Sequence, residues 1–249
     1  MVTIFNTPET LLPALADFIV TRSIEAIARQ GEFTIALSGG SSPKNLYELL
    51  ASDHYRNKVE WPKVYFFFGD ERYVPLDHPD SNFLMAKKAL FTPLGISNDH
   101  IFAVDTILRP DESAQLYEQA IRDHFSHRPC SFDFILLGLG DNSHTASLFP
   151  HTSVLHEQTA LVKALFVEEV EMYRVTFTAP LINLAHTIVF LVYGAAKAEA
   201  VHHVLEDSLD IEEYPAQLVR PGKGELYWYL DEAAAKKIKT GDGSGSIQP

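Results

Sequence analysis

The chemistry in this chain concentrates in residues 131–150, SFDFILLGLGDNSHTASLFP. An apolar run of four, Phe134-Ile135-Leu136-Leu137, gives way to Gly138 and Gly140, then to Asp141-Asn142-Ser143 and His144. An imidazole with an ordinary pKa near neutrality can take a proton from water as that water attacks an electrophile. Glycines beside it let backbone approach a ligand where a side chain would block it. On the loop alone His144 reads equally as a capping or packed structural histidine.

Two further stretches carry groups suited to an anion. Ser38-Gly39-Gly40-Ser41-Ser42-Pro43 follows an apolar run and precedes a helical segment, with Ser42 as N-cap and Pro43 as first helical residue. A helix N-terminus offers unpaired N–H groups and the positive end of the dipole. The same loop also reads as a plain strand-to-helix turn. In Gly69-Asp70-Glu71-Arg72-Tyr73-Val74-Pro75, Arg72 presents a planar fork for phosphate or carboxylate, or pairs with Asp70 or Glu71 at the surface.

Other chemistries lack their residues. G-x-x-x-x-G-K-[ST] is absent, and Ser143 stands where a dinucleotide fingerprint after Gly138 and Gly140 needs its third glycine. No H-E-x-x-H occurs: His156-Glu157 lacks its partner, and His202 and His203 face different ways on a helix, so no metal site is expected. There is no G-x-S-x-G elbow, and Cys130 has no local cation to activate it. What survives is base-assisted attack of water on an electrophilic carbon carried by a phosphorylated small molecule.

Apolar runs at 33–37, 64–68, 134–137 and 188–193 read as strands buried on both faces, as in a parallel sheet. Residues 173–178 and 225–230 read as further strands. Helical spacing covers 8–30 (stopped by Gly31), 44–51, 81–90, 111–125, a short piece after Pro180, 195–205 with Lys197, and 231–238. Strands alternating with helices predict an α/β fold: a doubly wound, mostly parallel sheet flanked by helices on both faces, with ligands bound beyond the strands' carboxyl ends. Residues 1–239 are expected to form one domain. GDGSGSIQP has the composition of a flexible tail over 240–249.

With 33 acidic against 20 basic residues, the chain is not expected to bind nucleic acid. An anionic substrate must then be drawn by a few local cations and N–H groups against an unfavourable net field. No run approaches a membrane helix and no signal peptide is legible, so no membrane partner is expected. A single cysteine fits a reducing compartment, and a cytoplasmic monomer or weak homodimer is expected.

Read together, ALSGGSSP (36–43), FFGDERYVP (67–75), GLGDNSHTASLFP, RVTFT with Pro180 and Asn183, FLVYGAAKA (190–198) and GELYWYLDEAA (224–234) resemble the 6-phosphogluconolactonases. These belong to a larger group with the glucosamine-6-phosphate deaminases and a ribose-5-phosphate isomerase-like fold. The resemblance implies hydrolysis of 6-phosphogluconolactone to 6-phosphogluconate in the oxidative pentose phosphate pathway, without a cofactor. It implies that His144 activates water with Asn142 beside it. Ser38, Gly39, Gly40, Ser41, Asp70, Arg72, Arg174 and Lys197 would hold the phosphate and sugar hydroxyls. The alternatives are a sugar-phosphate isomerase or deaminase, or a non-catalytic sugar-phosphate-binding protein. The deaminases carry a catalytic glutamate a few residues past the histidine, where this chain has Leu148 and Phe149.

One departure stands out. The family loop usually reads Asp-Gly-His, whereas this chain has Asn142-Ser143-His144. Asparagine can orient an imidazole but adds no charge, so a lower His144 pKa is expected. Asp141 is the neighbouring carboxylate that could substitute. Serine in place of glycine costs about 1–2 kcal/mol if the backbone there is left-handed.

Overall fold

The computed structural model describes residues 1–239; the expectation of a flexible tail over 240–249 lies outside the described residues. Six strands form one all-parallel sheet: β1 (Val2–Phe5), β2 (Phe33–Leu37), β3 (Val64–Phe68), β5 (Phe134–Leu137), β8 (Thr187–Val192) and β9 (Glu225–Asp231). Three more, β4 (Asp70–Arg72), β6 (Val162–Val167) and β7 (Met172–Phe177), form a small antiparallel sheet. The large sheet runs β1-β9-β8-β5-β2-β3 and the small one β4-β7-β6.

The continuous apolar runs are explained by burial on both faces. Phe33, Ile35 and Leu37 of β2, Phe134 and Leu136 of β5, and Val189 and Leu191 of β8 enter one core. It is covered by α1 (Pro8–Gln30) and α2 (Ser41–Leu50) through Leu11, Leu15, Ile19, Leu46 and Tyr47. The alternate residues Ala36, Ile135, Leu137, Ile188, Phe190 and Val192 enter the other. The sheet is thus doubly wound, as expected.

The remaining helices are α3 (Asn82–Ala86), α4 (Thr92–Leu94), α5 (Pro110–His124), α6 (Ala179–Ile182) and α7 (Ala198–Glu206). One wide turn, Lys87–Phe91, joins α3 to α4, so 82–94 is nearly continuous. At the end of α1, Gly31 has φ 87° and its N–H bonds to the Ile27 carbonyl, the left-handed stop that the sequence implies.

Several local readings are corrected. Gly40, with φ 99°, turns the chain early enough that α2 begins at Ser41, so Ser42 is not its N-cap. Residues 70–72 are a strand, because β4 pairs with β7. Residues 232–238 form turns rather than a helix. The buried Asp231 carboxylate ends β9 by accepting N–H groups from Gly194 and Ala234, holding the chain in single turns. Strands β1 and β6 had no sequence reading.

From β2 the chain crosses to β3 on one side and later returns as β5 on the other. That makes the β2–β5 boundary a topological switch point, where the loops after the two strands part and leave a crevice. Those loops are residues 38–40 and 138–150.

Candidate active site

A cleft of about 390 Å³ occupies this crevice. Its walls include Ser38, Gly39 and Gly40 after β2, Asp70 and Arg72 of β4, Asn142 and His144 after β5, Arg174 of β7, and Lys197. Every residue expected at the site therefore meets in one place except Ser41. Ser41 is the exposed first residue of α2 and does not line the cleft, because Gly40 has already turned the chain away.

Two glycines are required by close approach. A Cβ on Gly140 would lie 2.0 Å from Nδ1 of His144, and one on Gly39 would lie 2.0 Å from Oδ1 of the buried Asn82. The imidazole thus packs edge-on against bare backbone, and its face stacks on Phe149 with centroids 3.9 Å apart. Ser143 has φ 62°, the left-handed conformation that serine tolerates poorly, and Ala146 shares it at φ 48°. Strain is concentrated around His144.

The state of the imidazole follows from its neighbours. His144 Nδ1 donates to Oδ1 of Asn142 over 2.5 Å, and the Asn142 amide nitrogen donates to the Glu169 carboxylate over 2.7 Å. A carboxylate only accepts, and the His144 backbone N–H donates to the same Asn142 Oδ1 over 3.2 Å, so the two together fix which end of the amide faces the ring. The proton then sits on Nδ1, and Nε2 keeps its lone pair. Burial above all, against the pull of Asp70 and Asp141 and helped by Lys197 and Arg174, brings the His144 pKa down to about 4. The imidazole is neutral at physiological pH. Asp141, offered from sequence as a substitute carboxylate, instead pairs with Lys197 Nζ at 2.7 Å.

The carboxylates on the walls each have a donor. Ser147 Oγ donates to Asp70 over 2.7 Å, Lys197 pairs with Asp141, and Asn142 donates to Glu169. The neighbouring buried Glu71 accepts from the N–H groups of Arg72, Asn82 and Phe83, tying β4 to α3; burial dominates and raises its pKa. Arg174 has no such partner at Nε, which is buried and unpaired among the described residues. It lies directly opposite Arg72 in the β4–β7 ladder, and burial, against the pull of Asp70, takes its pKa below the ordinary value.

Sequence reasoning missed Asn82, Phe149 and Glu169. Phe149 was legible only as one of two residues, with Leu148, filling the neighbourhood where the deaminases carry their glutamate. Glu169 lies on the turn between β6 and β7, far along the chain from His144.

Fold and site together define an α/β protein whose switch-point cleft brings Arg72, Arg174 and Lys197 together with a neutral imidazole. The chain belongs to the family of glucosamine-6-phosphate isomerases and 6-phosphogluconolactonases, whose model matches residues 6–228. It is 44% identical over 232 residues to a 6-phosphogluconolactonase of Nostoc sp., covering 92% of this chain and 94% of that protein. Among solved structures, the devB protein superposes with a TM-score of 0.87 at 35% identity, covering 96% of this chain and all of the other (100%). A 6-phosphogluconolactonase from Trypanosoma cruzi gives a TM-score of 0.85 at 29% identity, covering 96% and 97%. No helix among the described residues is long and apolar enough to cross a membrane.

Proposed function

We propose that the chain hydrolyses 6-phospho-D-glucono-1,5-lactone to 6-phospho-D-gluconate, with His144 as general base and the phosphate held by Arg72 and Arg174. Water adds to the lactone carbonyl carbon while its proton passes to Nε2 of His144. The carbonyl electron pair moves onto oxygen. Collapse of that adduct breaks the bond to the ring oxygen, which takes the proton back from the imidazolium. The products are a carboxylic acid, which ionises, and a free hydroxyl. Asn142 holds the ring in the tautomer that leaves Nε2 bare.

The observation that carries this reading is one cleft lined by both an imidazole whose Nε2 keeps its lone pair and two opposed guanidinium groups, one of them with a buried Nε unpaired among the described residues. Ser38 and the N–H groups of Gly39 and Gly40 remain for sugar hydroxyls and the developing oxyanion. The deaminase alternative has less support, because Leu148 and Phe149 fill the neighbourhood where the deaminases carry their glutamate, and Phe149 stacks on the imidazole. The single cysteine and the absence of a membrane-crossing helix among the described residues support action in the cytoplasm.

The test is acid release from freshly prepared lactone, with spontaneous opening subtracted. The wild-type chain should accelerate opening and His144→Gln should lose nearly all of that acceleration. A wild-type rate equal to the blank, or ammonia released from glucosamine 6-phosphate, overturns the assignment.

A further inference from the structure

Asn142 is held at both ends. Its carbonyl receives the His144 Nδ1 proton, and its amide nitrogen is bound by Glu169, 27 positions along the chain on the turn joining β6 to β7. A neutral amide alone has two orientations about its terminal bond, differing by exchange of oxygen and nitrogen. Only one gives His144 an acceptor. In the other, an N–H group would face Nδ1, favour the opposite tautomer and put the proton on Nε2, where it blocks proton abstraction.

We infer that Glu169 is a positioning residue for the catalytic base, acting through Asn142 in a carboxylate–amide–imidazole relay. The inference rests on the lactonase reading for its kinetic consequences, while the tautomer itself does not depend on substrate. Two contributions separate. The first is orientation: an acceptor at position 169 reinforces the amide orientation that keeps Nε2 bare, which the His144 backbone N–H to Asn142 Oδ1 also favours. The second is charge: a carboxylate polarises the amide so that its oxygen better stabilises the imidazolium formed as water is deprotonated. The Asp141 carboxylate is engaged by Lys197, and Asp70 accepts from Ser147, so neither occupies the Nδ1 side. Glu169 also joins the small sheet to the catalytic loop, so the β6–β7 turn becomes part of the site without touching the base.

Glu169 is exposed, so its replacement should leave the fold intact. Glu169→Gln keeps an acceptor and drops the charge; Glu169→Ala drops both. For lactone hydrolysis we expect kcat to fall about tenfold in the alanine variant, with KM within about twofold of wild type, and the glutamine variant to recover most of that loss. Nitrogen-15 shifts of the His144 ring should show the proton on Nδ1 in wild type and Glu169→Gln, and a mixture of tautomers in Glu169→Ala. Unchanged kcat together with an unchanged tautomer in Glu169→Ala overturns the relay. A wild-type chain without lactonase activity overturns the function instead, and the nitrogen shifts still decide the relay.

Discussion

Arg72 and Arg174 face each other across the β4–β7 ladder as a directly opposed pair. Like charges in that position repel, and one of these guanidinium groups is buried with an unpaired nitrogen. A dianion between them would reverse the sign of that interaction and give each fork an acceptor. Arg174→Met should therefore raise KM for the lactone by about 10- to 100-fold, since a charged hydrogen bond contributes about 1.5–3 kcal/mol, with a smaller effect on kcat. Inorganic phosphate should raise the melting temperature of the wild-type chain and not of the variant. Equal thermal shifts in both would place the phosphate elsewhere.

Ser143 offers a test independent of substrate. Its φ of 62° costs a serine what a glycine does not incur. Against this, glycine has more freedom to lose on folding, so Ser143→Gly should stabilise the chain by a net of about 1 kcal/mol, or about 2–4 °C in melting temperature. Chemical denaturation of the two proteins measures it. A destabilised glycine variant would mean that the serine hydroxyl matters more than the strain.

How far this architecture could be read from sequence depended on local periodicity. The runs 33–37, 64–68 and 134–137 coincide with β2, β3 and β5, because strands buried on both faces leave an uninterrupted apolar signal. Val2–Phe5 has only four residues at a sheet edge, and β6 mixes Lys163 and Ala164 into its run, so neither stood out. His144, Arg72 and the Gly-Ser loop were legible as chemistry because their glycines and charges are concentrated locally. Glu169 was not, since its role exists only once β6 and β7 bring it to Asn142. Ser41 failed for a local reason: the positive φ of Gly40 moved the start of α2.

The low pKa of His144 sets its pH behaviour. Burial moves it from an ordinary 6.5 to about 4, so the free enzyme holds a competent base throughout the neutral range. The kcat/KM profile should be flat down to about pH 5 and fall about tenfold per unit below pH 4. Stability carries the same signature. The unfolded state binds the proton first, so stability is full above pH 6.5 and is lost as pH falls toward 4. The loss amounts to about 3 kcal/mol at most, each pKa unit being worth about 1.4. Denaturation of wild type and His144→Gln across this window isolates it. An acid limb of kcat/KM near pH 6.5 would contradict the buried, neutral imidazole.

Replacing Asn142 by aspartate joins these relationships. The new carboxylate would still accept the Nδ1 proton, now with a full charge, and should raise the His144 pKa by about 1–2 units. It would also lose the N–H that binds Glu169 and set two carboxylates within hydrogen-bonding distance. Repulsion should swing the exposed Glu169 away and loosen the loop, so Asn142→Asp alone gains basicity but loses positioning. Adding Glu169→Gln restores a donor opposite the aspartate. The double variant should therefore exceed the product of the two single effects on kcat by several-fold, a coupling of about 1 kcal/mol between residues in one network. A proton NMR titration of the His144 ring in all four proteins, beside their kcat values, supplies both readouts. Multiplicative effects, or a pKa that ignores position 142, would show that the base is set by burial against Phe149 and Gly140 alone.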